Sequence, residues 1–267
     1  MEYVFKLLTS STELMAYKSN ILGLFENSFD KPMNTDLWEW FYLKNVYGDS
    51  IVSLCFHDGK LIGHYAAVQR DIFYNGKIEK FLLSMTTMVH PDHQGKGLFT
   101  KQAMYVYDAA KLMGFKGIFG FPNENSIYGF RHKLDWTCLL NRVVNLSKNE
   151  LLELALDKSS YDTHIVLEQE HVLYFKDKPS SLITVTYNHS IFKSYNNSVD
   201  VLHLACCDDI MSFADETRFN VMLPLVDDVD TDKNLLFKYN FGYLLFNTDI
   251  KNNDFNLYQE MILSDVF

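Results

Sequence analysis

Two dipeptides constrain this chain more than any other feature in it. Asp58-Gly59 and Asn75-Gly76 are pairs that favour a type I′ turn, whose positive φ angles suit the twist of two adjacent antiparallel strands. They join the segments "SIVSLCFH", "KLIGHYAAVQRDIFY" and "KIEKFLLSMTTMV", so three consecutive strands must form an antiparallel meander. With two residues in each turn, Tyr74 lies opposite Lys77 and His57 opposite Lys60. That register carries His64 opposite both Thr87 and Ser53, and predicts a polar row of Ser53, His64 and Thr87 across the three strands.

Hydrophobic periodicity places the other elements around this meander. "YVFKLL" reads as a strand and "STELMAYKSNILGLFENSF" as a capped helix. "NTDLWEWFYLKNV" is a second helix with Asn34 or Thr35 as its cap. After the third meander strand come the amphipathic helix "LFTKQAMYVYDAAKLM", closed by Gly114, the short buried strand "GIFGF", the helix "ENSIYGFRHKL" and the strand "WTCLLNRVVNL". This order predicts a mixed α/β domain, residues 1–144, around a mostly antiparallel sheet. The polar helical linker "SKNELLELALDKSS" follows. Beyond it come strands "SLITVTY", "SIFKSY" and "VDVLHLACC", a helix "DIMSFADETRF", and strands "VMLPLV", "NLLFKYNFGYLLF" and "LYQEMILSDVF". Their order echoes the later part of the first domain, so residues 145–267 are expected to form a second, truncated α/β copy.

Composition narrows the function classes. The net charge of −10, from 24 basic and 34 acidic residues, disfavours a general polyanion binder, so nucleic acid is not an expected partner. "MEYVFKLLTSSTEL" contains no apolar run of signal length, and no stretch is long enough to span a bilayer, so no membrane association and a cytoplasmic location are expected. Cys55, Cys138, Cys206 and Cys207 lack zinc or CxxC spacing and read as reduced thiols. The sequons at Asn145, Asn188 and Asn196 carry no meaning in a cytosolic chain.

The most chemically loaded segment is the turn "TMVHPDHQGKGLFTKQ", Thr87 to Gln102. Pro91 cannot donate to a continuing ladder and releases the preceding strand near Val89. Gly95 and Gly97 let successive N–H groups converge at the start of the next helix, where the dipole is positive, which makes a nest for an anion. Neither a Walker loop nor a dinucleotide fingerprint is present. His90 and His93 flank Asp92, but in a turn suited to phosphate no metal site is expected.

"VHPDHQGKGLF" resembles the pyrophosphate loop of the GNAT superfamily of N-acyltransferases: Gln or Arg, two residues, Gly, one residue, then Gly or Ala, after a strand ending in Val-x-Pro. Gln94 and Gly97 fit, whereas Phe99 departs at the last position. The element order and "FPNENS" resemble the rest of that fold to about residue 144. The resemblance implies acyl-CoA as co-substrate, either acetyl-CoA or a short hydroxyacyl-CoA, without a metal. It implies that the backbone of Gln94, Gly95, Lys96, Gly97, Leu98, Phe99 and Thr100 cradles the pyrophosphate, with Lys96 adding a cation. It also implies that Thr87, Met88 and Val89 bind the pantetheine and thioester, that Asn123, Asn125 and Ser126 face its other side, and that Tyr128 packs near the coenzyme.

Acyl transfer needs a neutral amine held beside a polarised thioester. Relatives often carry a base on the strand before the loop, but the face expected to hold Leu83, Met85 and Thr87 has no titratable group. The polar row makes His64 the candidate base, or else a buried residue satisfied by Ser53. Relatives also often place a tyrosine after the "FPNENS" turn to protonate the thiolate. Here that position falls on Phe130 or Arg131, neither of which has a hydroxyl. The second half is expected to wall an acceptor cleft. "GFPNENS", "TMVHP" and the closing "SDVF" resemble GNAT proteins that acylate the amine of a nucleotide-linked deoxyamino sugar in surface-polysaccharide synthesis. A protein or peptide N-acetyltransferase and a non-catalytic acyl-CoA-binding scaffold are the alternatives.

Overall fold

The computed structural model describes residues 2–74, 76–154, 163–195, 197–224, 234–246, 255 and 257–264. Asn75 of the second turn, the sequon residue Asn196, the end of the linker and the last three residues of "SDVF" lie outside the described residues. The strands are Val4–Leu8 (β1), Ile51–His57 (β2), Lys60–Tyr74 (β3), Lys77–Val89 (β4), Gly117–Gly120 (β5), Thr137–Ser147 (β6), His164–Ile165 (β7), Ile183–Val185 (β8), Ile191–Tyr195 (β9), Ser198–His203 (β10), Arg218–Pro224 (β11) and Leu235–Leu245 (β12). The helices are Ser11–Met15 (α1), Lys18–Phe29 (α2), Thr35–Tyr42 (α3), Leu98–Leu112 (α4), Ile127–Lys133 (α5), Lys148–Glu153 (α6) and Gln169–Lys176 (α7).

The meander forms as its turns demand. Asp58 (φ +50°) and Gly59 (φ +73°) take the left-handed angles of a type I′ turn, and Gly76 sits at φ +77°. Asn34 caps α3 by accepting from the N–H groups of Asp36 and Leu37. The first predicted helix is instead two, α1 and α2. Its path breaks at Tyr17, whose ring turns onto Phe56 (6.0 Å) and whose hydroxyl accepts from Lys6 Nζ at 2.7 Å.

All the strands join one sheet, in the order β1-β2-β3-β4-β5-β12-β6-β11-β10-β9-β8, with β7 paired to β3. The centre of that order is a strand exchange. β12, from the chain's end, lies antiparallel between β5 and β6, while β6 lies antiparallel between β12 and β11. The expected boundary at residue 144 therefore falls inside β6. On either side the pattern repeats: β2, β3 and β4 are antiparallel with β5 parallel to β4, and β8, β9 and β10 are antiparallel with β11 parallel to β10.

Two predicted elements of the second half differ. "DIMSFADETRF" is not an α-helix: it starts inside a short 3₁₀ segment, Cys207–Ser212, and ends in β11 at Arg218 and Phe219, with Phe213 packed between Phe192 and Phe219. "LYQEMILSDVF" is not a ladder strand. Leu257 makes one bridge to Thr163, and Met261–Leu263 form a 3₁₀ turn buried in the core. Helix α7 has no counterpart in the sequence reading.

The core covers both sheet faces. On one side α2 and α3 pack on Val52, Ala66, Val68, Met85 and Met88, and the same cluster takes in Phe175, Leu202, Met222 and Ile262 of the second half. On the other, α4 and α5 pack on Tyr65, Ala67, Leu82 and Ile118. The halves are fastened where α3 meets α7. Trp40 stacks on Tyr174 (4.2 Å), its Nε1–H donates to Tyr174 O (2.9 Å), and Tyr174 OH donates to Trp40 O (3.1 Å). Buried Arg70 on β3 lies against the rings of Tyr47 and Phe175. Trp40→Ala is expected to lower stability by about 3–5 kcal/mol, read as a lower urea midpoint. Global loss of stability without a separate early transition will mark the two halves as one cooperative unit.

Candidate active site

The site originates in a mismatch between two neighbouring strands. β4 and β5 run parallel and pair over only four residues each, Phe81 with Gly117 through Ser84 with Gly120. Beyond that point they part. β5 ends at Gly120 ahead of Pro122, and β4 continues to Val89 through a bulge. The opening is a cleft of about 440 Å³. Met85, Thr86 and Thr87 form one wall and Phe121, Pro122, Asn123 and Ser126 the other. Phe25 and Phe29 of α2 close it from one face, Phe130 and Trp136 from the opposite one, and Tyr239 reaches it from β12.

The bulge corrects the predicted register. β3 and β4 pair as expected from Tyr74–Lys77 up to Ala66–Met85, then slip by one, so that His64 faces Met88 and not Thr87. Thr86 sits at φ +48° at the slip. β2 and β3 slip likewise between Phe56 and Cys55, putting Ser53 opposite Tyr65. The predicted polar row of Ser53, His64 and Thr87 is therefore not formed. Past the bulge Met88, not Thr87, rejoins Leu83 and Met85 in the core cluster.

His64 is wholly buried and does not line the cleft. Its Nδ1 lies 2.8 Å from Thr86 O. A carbonyl can only accept, so Nδ1 carries the hydrogen, and Nε2 is left as a buried lone pair without a hydrogen-bond partner. Burial lowers the imidazole pKa from 6.5 to about 4. The neutral ring, edge-on to Tyr42 (6.2 Å), thus fastens the bulge from behind.

At the open end of β4, the chain makes a 3₁₀ turn over Pro91–His93 and enters α4 through Gly95 (φ +74°) and Gly97 (φ +72°). These left-handed angles, difficult for other residues, turn the backbone so that the N–H groups from Gly95 to Thr100 make no backbone hydrogen bond. The first bond of the helix runs from Lys101 N to Gly97 O at 3.2 Å. No heavy atom lies within 4 Å of where a Cβ would stand on either glycine. Gln94 braces the turn by donating to Val89 O (3.1 Å), and Lys96 Nζ is held over it by Asp92 O (3.0 Å). Phe99, the departure from the motif, has a counterpart across α5. A Cβ on Gly129 would stand 2.7 Å from its ring, which packs edge-on against Phe130 (5.1 Å).

Of the other sequence candidates, Thr87, Asn123 and Ser126 line the cleft. Met88 is buried in the core beside it. Asn123 braces the turn that leads into α5: its Oδ1 accepts from the N–H groups of Asn125 and Ser126, both at 3.1 Å. Asn125 and Tyr128 are exposed and do not line the cleft; Tyr128, 64% exposed, packs on His132 (4.7 Å). The ambiguity between Phe130 and Arg131 resolves to Phe130, which lines the cleft, while Arg131 is exposed. His93 shares a 3.2 Å hydrogen bond with Tyr3 OH, and no group of three potential metal ligands is assembled among the described residues. Sequence reasoning missed Phe25, Phe29, Lys31, Ser84, Thr86, Phe121, Trp136 and Tyr239. The faces of α2 and β4 carried part of that signal, but nothing in the sequence points from β12 back to the cleft.

A helix N-terminus with six N–H groups that find no partner among the described residues thus opens into a gap between two parted parallel strands. Residues 15–137 match the family model described as an acetyltransferase (GNAT) domain. The fold is also that of solved relatives at low identity. A conserved Enterococcus faecalis V583 protein described as a probable N-acyltransferase superposes with TM-score 0.66 at 8% identity, over 92% of this chain and 73% of that one. The GCN5-related N-acetyltransferase from Kribbella flavida gives 0.64 at 11%, covering 91% and 72%. Eis1 from Mycobacterium abscessus gives 0.59 at 10%, covering 92% and 74%. Among curated proteins none matches by sequence. No helix among the described residues is long and apolar enough to cross a membrane.

The state of His64 is testable through pH. Its folded pKa lies below its ordinary value, so the unfolded chain takes up the proton first. The stability gained by keeping the ring neutral is complete above about pH 6.5 and is lost as pH falls toward about 4. The loss is on the order of 3 kcal/mol. Urea midpoints at pH 7 and pH 4.5 should fall less in His64→Gln than in the wild type, and His64 ring resonances should not titrate between pH 5 and 8.

Proposed function

We propose that the protein transfers an acyl group from acyl-CoA to the amine of a nucleotide-linked amino sugar, by direct attack with both substrates in the cleft. The observation that carries this reading is the continuity of the unpaired N–H groups from Gly95 to Thr100 with the gap between β4 and β5. The nest fits a pyrophosphate, with the α4 dipole and Lys96 favouring its charge. The pantetheine then runs down the gap as a substitute strand, meeting the backbone of Thr87 to Val89 on one side and Asn123 and Ser126 on the other.

The cleft's chemistry supports an anionic acceptor over a basic peptide. Among the described residues that line it, the charged side chain is Lys31, and none is a carboxylate. A lysine-rich peptide would find no counter-charge there, whereas a nucleotide's phosphates would find Lys31. The aromatic walls, Phe25, Phe29, Phe121 and Tyr239, offer faces for a base and a sugar ring. The second half, as a degenerate copy of the first, supplies one of these walls through Tyr239 of β12.

Among the described residues the lining holds no imidazole or carboxylate to take the amine's proton. Rate then comes from holding amine and thioester together and from fixed backbone dipoles at the bulge, and the proton leaves to water in the open cleft. His64 acts as a positioning residue. By holding Thr86 O on the core side, it fixes the direction of the following peptide group, which faces the thioester.

Gly97→Val is expected to weaken acetyl-CoA binding by about tenfold or more, because a β-branched residue at φ +72° strains the nest by roughly 1–2 kcal/mol. Calorimetry reads the affinity, and an unchanged circular dichroism spectrum shows that the fold is intact. Thiol release from acyl-CoA, assayed with dTDP- and UDP-linked amino sugars against lysine peptides, tests the acceptor. Turnover with the peptides alone would replace the sugar reading.

A further inference from the structure

Beneath the closed end of the cleft lies a chain of buried hydrogen bonds that the transfer chemistry above does not use. Trp136 Nε1 is 2.9 Å from Tyr107 OH, Tyr107 OH is 3.1 Å from Tyr65 OH, and Tyr65 OH is 2.8 Å from Ser84 Oγ. Tyr65 is 0% and Tyr107 3% exposed. Burial raises both phenol pKa values, so both stay neutral hydroxyls, each with one hydrogen to place.

The direction of the chain follows from its first member. An indole N–H only donates, so Tyr107 oxygen accepts from Trp136. The hydrogen of Tyr107 must then go to Tyr65, the other partner within reach, since leaving it unpaired in the core would be costly. Tyr65, having accepted, donates in turn to Ser84. Ser84 Oγ therefore receives a hydrogen bond from the protein. Its own hydrogen has no protein acceptor among the described residues, and Ser84 lines the cleft. The buried chain thus presents an O–H donor, fixed in direction, to whatever fills the closed end.

What reaches that point follows from the layout. Ser84 pairs with Gly120 at the last rung before β4 and β5 part, so it marks the end of the cleft farthest from the Gly95–Thr100 nest. It is three residues from Thr87, roughly 10 Å of strand at about 3.3 Å per residue. A ligand anchored by its pyrophosphate at the nest, with its thioester at Thr87, brings its acyl chain and not its carbonyl toward Ser84. The surrounding side chains, Met85, Phe130 and Trp136, suit the carbons of such a chain.

We infer that Ser84 is a specificity-determining residue that donates a hydrogen bond to an oxygen carried on the acyl chain beyond the thioester, so the donor is a short hydroxyacyl- or ketoacyl-CoA. This rests on the acyl-CoA reading above. An unsubstituted chain leaves the oriented hydroxyl unpaired and is disfavoured by that loss. Tyr65, Tyr107 and Trp136 act through Ser84 by orienting it.

The test is calorimetric titration of the full-length protein with 3-hydroxybutyryl-CoA, butyryl-CoA, acetyl-CoA and coenzyme A itself. The wild type should bind the hydroxyacyl form about tenfold more tightly than butyryl-CoA. Ser84→Ala should lose that preference. Tyr107→Phe, which keeps Ser84 but breaks the chain behind it, should reduce it. Equal binding of the hydroxyacyl and butyryl forms by the wild type, tightest binding of acetyl-CoA, or a preference surviving in Ser84→Ala would each overturn the inference while leaving the acyl-CoA reading in place. Failure of the wild type to bind coenzyme A in any form would overturn both.

Discussion

The four-residue pairing between β4 and β5 is the constraint on which the rest of the molecule depends. Two parallel strands in one sheet ordinarily satisfy each other along their length, because an unpaired backbone group away from water is costly. Here the ladder stops at Ser84 and Gly120, which leaves the facing edges of both strands open for a ligand that can hydrogen-bond like a strand. The features around the gap keep it open. The bulge at Thr86 bends β4, Pro91 and Pro122 prevent either strand from continuing, and Asn123 braces the turn into α5, which follows where β5 would extend.

The parted strands would weaken the sheet if nothing secured β5 from its other side. That support comes from β12, which pairs with β5 at the same four residues that β4 uses, Gly117 to Gly120. Since β12 belongs to the last part of the chain, the short strand flanking the cleft is stable only when the whole chain has folded. The α3–α7 contact of Trp40 with Tyr174 serves the same end. Coupling of the two halves is therefore a requirement of the cleft, and Tyr239 on β12 reaches the cleft through that coupling.

How much of this was legible in the sequence depends on the range of the interactions. The Asp58-Gly59 turn, the Asn34 cap and the Gly95 and Gly97 angles are local, and each residue states its own conformation. The two bulges are not local. Extending a two-residue turn at constant register is sound until one residue is left out of the ladder, and nothing in "MTTM" or "LIGH" marks where that happens. One slip of a single residue moved His64 from Thr87 to Met88. The strand exchange of β6 and β12 is more distant still: order along the chain reveals two similar halves but not which strand crosses to which. Ser84 lies on the face of β4 opposite Leu83 and Met85, and only the distant partner Tyr65 on β3, which its hydroxyl joins, gives it meaning.

The lack of an imidazole or carboxylate among the described lining residues gains meaning from the groups that lie just behind it. The His64 imidazole and the Tyr65 and Tyr107 phenols behind the cleft are buried and held neutral, with His64 shifted down and both phenols shifted up. Groups shifted away from neutrality in these directions are poor proton carriers near pH 7 but dependable hydrogen-bond partners, since their protonation does not change across the working range. His64 fixes a carbonyl on one strand face, and the Trp136–Tyr107–Tyr65 chain fixes a hydroxyl on the other. Both act on β4 within three residues of each other. The site is therefore organised by oriented dipoles: one side of the strand sets the geometry of the bulge, and the other sets what the closed end of the cleft accepts.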